Sequence, residues 1–268
     1  MFEAFYGLSR TPFARDLAPE ELFDSADGRE ALARLDYLVQ RRAFGVLTGD
    51  SGSGKTTAVR ALARRLDPTR HRLLYLAQSD LNPRSFYREI LRQMGLAPAY
   101  HAPDAKRQAA EALWSAYEQQ RQPVLIVDEA HLLTPTMLEE VRFLLNFSMD
   151  SASPLTLILA GQTELRHRLA LRAFDAIRQR IALRYHLSGL TAEETAAYLR
   201  HHLQIAGATR PIFSDEAVAL IAQACAGMPR RVNNLATACL LAGWLEQKAI
   251  IDETTARKAL MEWEEPAA

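Results

Sequence analysis

The stretch "LTGDSGSGKTTAVRAL", residues 47–62, decides how the rest of the chain is read. Glycine and serine are ordinary turn residues, but a flexible turn does not account for their order here. From Gly49 the residues spell G-x-x-x-x-G-K-[ST], with Gly49, Gly52 and Gly54 in the loop, then Lys55 and Thr56. The apolar run "FGVLT" (44–48) precedes it at strand length, and "TTAVRALARRL" (56–66) follows with apolar residues at helical spacing. Strand, glycine loop and helix form the context that a phosphate-binding P-loop requires. Glycines enter the left-handed region without steric penalty, so backbone N–H groups can curl around phosphate oxygens, and the helix N-terminus faces the anion. The expected phosphate contacts are Gly49, Asp50, Ser51, Gly52, Ser53, Gly54, Lys55, Thr56 and Thr57. Lys55 is expected to reach the β and γ phosphates, and the Thr56 hydroxyl to ligate Mg²⁺.

Outward from the loop, strands alternate with helices. "HRLLYLA" (71–77), "VLIVDEA" (124–130), "LTLILAG" (155–161) and "ALRYHL" (182–187) read as strands, with the first at 44–48. Helices are expected at 82–94, at 104–120, and from Thr134, which caps a helix begun by Pro135 and faced by Met137, Leu138, Val141, Leu144 and Leu145. Several strands are apolar throughout, the mark of a parallel sheet covered on both faces. From Thr191 the pattern becomes helical only. Thr191 and Glu194 form a capping box, and further helices are expected at 214–226, 229–247 and 252–263. The expected fold is therefore an α/β P-loop NTPase, a five-stranded parallel sheet sandwiched by helices. The expected domains are a core with an N-terminal arm at 1–189 and a helical lid at 190–268.

A P-loop binds phosphate without saying whether the nucleotide is cleaved. In "VLIVDEAH" four apolar residues end in Asp128 and Glu129, which places two carboxylates at the C-terminal tip of a buried strand. Asp128 is expected to hold Mg²⁺ through its water shell, and Glu129 to orient and polarise the water that attacks the γ phosphate.

Composition narrows the class further. The chain of 268 residues is 49% hydrophobic and 24% charged, as soluble globular proteins are. No apolar run approaches the roughly 18 residues that cross a bilayer, and "MFEAFYGLSR" lacks the order of a secretion signal, so a cytoplasmic location is expected. Formal net charge is zero, which argues against indiscriminate polyanion binding. Cys225 and Cys239 lack C-x-x-C spacing and read as reduced core residues, and the seven histidines carry no zinc signature.

The paired motifs resemble Walker A and Walker B of the AAA+ ATPases, and other elements of that family fall in order. The resemblance implies that Gln162 in "LILAGQTEL" is the sensor 1 residue contacting the γ phosphate and attacking water. It implies an arginine finger reaching a neighbouring subunit's ATP, at Arg180 in "AIRQRIALRY", with Arg178 and Arg184 as competitors. It implies a sensor 2 arginine at Arg230 in "GMPRRVNNL", with Arg231 as the alternative. "FYGLSRTPFARD", "VDEAH", "LILAGQTEL" and "RIALRYHLSGLT" together look like the ExeA-type branch, which includes secretion-associated ATPases and transposition regulators of the TnsC and MuB kind. Thr163 departs from the proline common there.

The resemblance implies ATP and Mg²⁺ as ligands, bound between core and lid, and a homo-oligomer, ring or helical filament, completed by the neighbour's arginine. It also suggests that the arm carrying Phe2, Phe5, Tyr6 and Phe13 lies near the nucleotide base, an ordinary packed arm being the alternative. Without a membrane span or a peptidoglycan-binding region, the expected role is a transposition regulator that assembles on double-stranded DNA and recruits or activates a transposase. A secretion-type assembly ATPase or another switch is the alternative. A DEAH-box helicase is disfavoured, since such motors need two RecA-like domains. Arg84, Arg88 and Arg92, at i, i+4 and i+8, form a candidate stripe for DNA phosphates, or else a solvated face partly neutralised by Glu89.

Overall fold

A computed structural model describes residues 1–14, 17–77, 82–145 and 153–264. The chain divides into two compact units: residues 30–49 with 55–187, and residues 1–29 with 50–54 and 188–268.

The first unit is built on a sheet of five parallel strands: β1 (Phe44–Gly49), β2 (His71–Leu76), β3 (Gln122–Val127), β4 (Thr156–Gly161) and β5 (Leu183–Leu187), in the order β2-β3-β4-β1-β5. Each strand side chain alternates between faces, so the continuous apolar runs of the sequence serve two cores. Phe44, Val46, Leu74, Leu76, Leu125, Val127, Leu157 and Leu159 pack with helices α4 (Pro83–Gln93), α5 (Ala102–Glu118) and α6 (Pro135–Leu144). Leu47, Val124, Ile126, Ile158 and Ala160 form the opposite face, with Leu35 and Leu38 of α2 (Ala26–Arg41) and Val59 and Leu62 of α3 (Lys55–Arg65). Burial on both sides explains why β3 and β4 carry almost nothing polar. The edge strand β2 is only half-buried, and Gln93 of α4 covers it: the Gln93 Oε1 accepts from Tyr75 N–H and its Nε2 donates to Tyr75 C=O, each at 2.8 Å. The primary amide thus takes the place of a neighbouring strand and blunts the edge.

The expected helix starts hold. Asn82 accepts from Ser85 N–H at 3.0 Å ahead of Pro83, and Thr134 accepts from Met137 N–H at 3.2 Å ahead of Pro135. The expected end of α6 beyond residue 145 lies outside the described residues. Two short helices, α7 (Thr163–Leu169) and α8 (Asp175–Arg178), link β4 to β5.

The second unit is helical: α9 (Ala192–Ile205), α10 (Asp215–Cys225), α11 (Pro229–Leu245) and α12 (Glu253–Glu264). The capping box at Thr191 and Glu194 is formed in both directions, each bond 3.1 Å long. Cys225 and Cys239 form no disulfide with each other and are buried in its core. The N-terminal arm, expected with the sheet core, packs in this unit instead. Phe2 and Tyr6 of α1 (Phe2–Tyr6), with Leu8 and Phe13, are buried among Leu203, Ile221, Leu235 and Ile251, because four large apolar side chains outweigh their position in the sequence. Ser9 N–H further bonds Ala206 C=O at 2.8 Å. The boundary expected at residue 189 consequently becomes a discontinuous one, with residues 50–54 also grouped with the helices.

Candidate functional site: strand tips and the glycine loop

The strand order brings the C-terminal tips of β1, β4 and β3 side by side, since β1 pairs β4 and β4 pairs β3. In a parallel sheet this edge collects the loops that carry chemistry. Three separate stretches of sequence therefore end together: Gly49 leading into the glycine loop, Gln162 after β4, and Asp128 with Glu129 after β3.

Asp128 is buried, 5% exposed, and its carboxylate is ringed by donors. Oδ1 accepts from Glu129 N–H at 2.9 Å. Oδ2 accepts from the Tyr75 hydroxyl at 2.6 Å and the Thr56 hydroxyl at 3.4 Å. A buried polar group needs such partners to offset the loss of water. Burial raises the Tyr75 phenol well above its ordinary range, and the bond to Asp128 adds to the rise, so Tyr75 stays a donor. Lys55, 7% exposed, donates from Nζ to Gly49 C=O at 2.8 Å.

Glu129 sits at φ 50°, left-handed for a non-glycine residue, on entry to a short 3₁₀ turn (Ala130–Leu132). Strain of this kind costs of order 1–3 kcal/mol and persists where surrounding contacts impose it. The His131 Nδ1 lies 3.4 Å from Glu129 Oε2 and also accepts from Gln162 N–H at 3.4 Å. Arg168 of α7 clamps the same turn, donating to the carbonyls of His131 and Leu133 at 2.6 Å each. Tyr75, His131 and Arg168 were missed by sequence reasoning. His131 follows Glu129 closely enough to have been suspected, whereas Tyr75 and Arg168 lie on other elements and carry no motif.

Within the helical unit, residues 50–54 lie against the start of α11. Gly52 has φ 84° and Gly54 φ 105°, conformations that favour glycine. At Gly52 a Cβ would come within 2.5 Å of Arg230 Cβ, so this glycine is required for close approach as well. Arg230 N–H bonds Gly52 C=O at 3.4 Å, and its Nη1 donates to Ser51 Oγ at 3.2 Å. The competitor Arg231 turns to Trp263, its guanidinium 5.5 Å from the ring centroid. The buried Ser53 hydroxyl has no hydrogen-bond partner among the described residues. Two positive-φ glycines and an unsatisfied buried hydroxyl suit a polyanionic ligand, since an unpaired polar group of this kind otherwise carries an uncompensated cost. One buried carboxylate beside a threonine hydroxyl also fits Mg²⁺, which keeps waters and phosphate oxygens as its remaining ligands.

The arginines expected elsewhere are placed less uniformly. Arg180 is half-buried between α8 and β5. Its competitors are engaged: Arg178 pairs with Asp175 at 2.6 Å, and Arg184 donates to Arg178 C=O at 2.7 Å. In the stripe on α4, Arg84 lies over the Tyr100 ring at 4.9 Å and Arg92 is 3.8 Å from Glu89. Arg88 is half-buried with its Nε enclosed, so the three do not form one free basic face.

Residues 38–169 match the family model described as AAA domain. General secretion pathway protein A of Aeromonas hydrophila is 34% identical over 253 residues, covering 91% of this chain and 45% of that protein. The chain thus spans about half the length of this curated relative. Among solved structures, Cdc6p from Pyrobaculum aerophilum superposes with a TM-score of 0.72 at 18% identity, covering 93% of this chain and 70% of that one. The RuvB Holliday junction branch migration motor of Thermotoga maritima gives 0.62 at 20% identity, covering 93% and 73%. These two likenesses establish the fold. Residues 38–169 are thus an AAA domain, and the similarity to General secretion pathway protein A over most of this chain supports an AAA+ ATPase of the ExeA type.

Proposed function

We propose that the chain is an ATP-driven assembly switch that self-associates with ATP bound and loosens on hydrolysis. The observation that carries this reading is the convergence of Lys55, Thr56, Asp128, Glu129 and Gln162 on adjoining strand tips, each with the chemistry that phosphoryl transfer needs. Backbone N–H groups from Gly49 to Thr57 cradle the phosphates. Lys55 exchanges the Gly49 carbonyl for phosphate oxygens, and Thr56 with Asp128 holds Mg²⁺. Bound there, the metal neutralises charge on the transferring group. Glu129 takes the proton of the attacking water and Gln162 orients that water, while Arg230, bonded to Ser51 within the helical unit, serves as the sensor 2 arginine. Arg180, supplied to a neighbouring copy, completes the site in trans, which makes ATP the link between subunits.

The similarity to General secretion pathway protein A supports an output in secretion-type assembly, in which the switch builds or remodels a protein machine. The alternative output is transposition control on duplex DNA with a transposase partner and a cytoplasmic location. The engaged arginines of α4 weaken its case. Among the described residues no helix is long and apolar enough to cross a membrane.

Glu129→Gln keeps the shape of the side chain and removes the base. Expected are ATP binding like the wild type, turnover lower by about 10²-fold or more, and longer-lived oligomers in light scattering. Wild-type turnover in this variant refutes the assignment. Electron microscopy of it with ATP and duplex DNA separates the outputs: coated duplex favours transposition control, and DNA-independent rings favour secretion-type assembly.

A further inference from the structure

Tyr75 is not part of either sequence motif, yet it makes the shortest contact to the carboxylate on which metal binding depends. Its hydroxyl donates to Asp128 Oδ2 at 2.6 Å, and the neighbouring Thr56 hydroxyl shares the same oxygen at 3.4 Å. The phenol reaches Asp128 because β2 pairs β3 in parallel, with Tyr75 opposite Ile126, two residues before the aspartate. The backbone of Tyr75 is in turn gripped at both its N–H and its C=O by the Gln93 amide, and Gln93 Nε2 also donates to Glu89 Oε1 at 2.9 Å. Hydrogen bonds from Glu89 through Gln93 thus hold the Tyr75 backbone, and the Tyr75 side chain carries the link on to the strand tip.

We propose that Tyr75 is a positioning residue for Asp128, holding the metal-binding carboxylate in one rotamer beside Thr56, and that Gln93 fixes Tyr75 from helix α4. The physical reason is that a buried carboxylate with several bound donors has little freedom to rotate, whereas one that loses its shortest donor can turn away from Thr56. Outer partners that orient metal-binding groups typically change metal affinity tenfold or more when removed. A second consequence concerns α4. Whatever displaces Glu89 or Gln93 on that helix disturbs the metal-binding carboxylate without touching the nucleotide.

The proposal rests on Asp128 being the Mg²⁺ carboxylate of an ATP site, and the test separates the two. Tyr75→Phe removes only the hydroxyl. Equilibrium binding of a fluorescent ATP analogue is measured against Mg²⁺ concentration in the non-hydrolysing Glu129→Gln protein, with and without Tyr75→Phe. The Mg²⁺ concentration at half-saturation is expected to rise by about tenfold, while binding in the presence of EDTA stays within about twofold. Gln93→Leu is expected to shift it in the same direction by a smaller factor. An unchanged Mg²⁺ dependence in Tyr75→Phe overturns the proposal. Equal weakening with and without metal overturns it too, since that marks a general packing role. If the parent protein binds no analogue under either condition, it is the ATP-site reading that fails.

Discussion

Each unit buries a titratable side chain, and the two solve that problem differently. In the sheet unit the Asp128 carboxyl oxygens meet Glu129 N–H, the Tyr75 hydroxyl and the Thr56 hydroxyl. In the helical unit His202, 3% exposed, has its Nδ1 without a partner among the described residues. Around it are Phe13, whose ring stacks at 5.4 Å, and Tyr198 at 4.2 Å. The difference shows where polarity is put to use. A carboxyl group met by several donors is poised for a ligand, whereas an imidazole enclosed by aromatic rings serves packing and is held neutral. Burial pushes the His202 imidazole down to about 4, with the nearby His201 and Arg10 contributing.

Three substitutions test this contrast, in falling order of expected effect. Gly52→Ala puts a methyl group 2.5 Å from Arg230 Cβ in a backbone at φ 84°. Nucleotide affinity is expected to fall by about tenfold or more, the equivalent of the ~1–3 kcal/mol such backbone strain costs. Calorimetric titration with ATP reads it, and wild-type affinity would show that the loop does not need this close approach.

His202 acts on stability through pH. Its folded pKa of about 4 lies below the ordinary 6.5, so the unfolded chain binds more protons between these values. Stability from this group is complete above pH 6.5 and is lost as pH falls toward 4, by up to about 3 kcal/mol. Urea unfolding across that window should give a shallower slope for His202→Phe than for the wild type. Equal slopes would mean that the imidazole titrates alike in both states.

Thr191→Ala removes the hydroxyl that accepts from Glu194 N–H at the start of α9. A loss of about 1 kcal/mol is expected from urea unfolding, with ATP affinity unchanged. A change in nucleotide affinity would tie this cap to the ligand site and blur the division between the units.

What was legible in the sequence was whatever a short segment specifies by itself. The glycine loop, the apolar strand ending in Asp128 and Glu129, the proline-started helices and the capping box at Thr191 are local patterns, set by backbone sterics and side-chain reach over a few residues. Long-range placement decided the rest. The arm moved to the helical unit because Phe2, Tyr6, Leu8 and Phe13 find their apolar neighbours there. Arg230 was separated from Arg231 by which guanidinium faces Ser51 and which faces Trp263. The Tyr75, His131 and Arg168 contacts join elements that are tens of residues apart or belong to different strands, and no spacing rule encodes them. Local chemistry thus pointed to the residues proposed to bind and cleave a triphosphate. Only the order of the strands and the packing of side chains across them decided which other groups hold those residues in place, because such contacts depend on neighbours that the linear chain does not bring together.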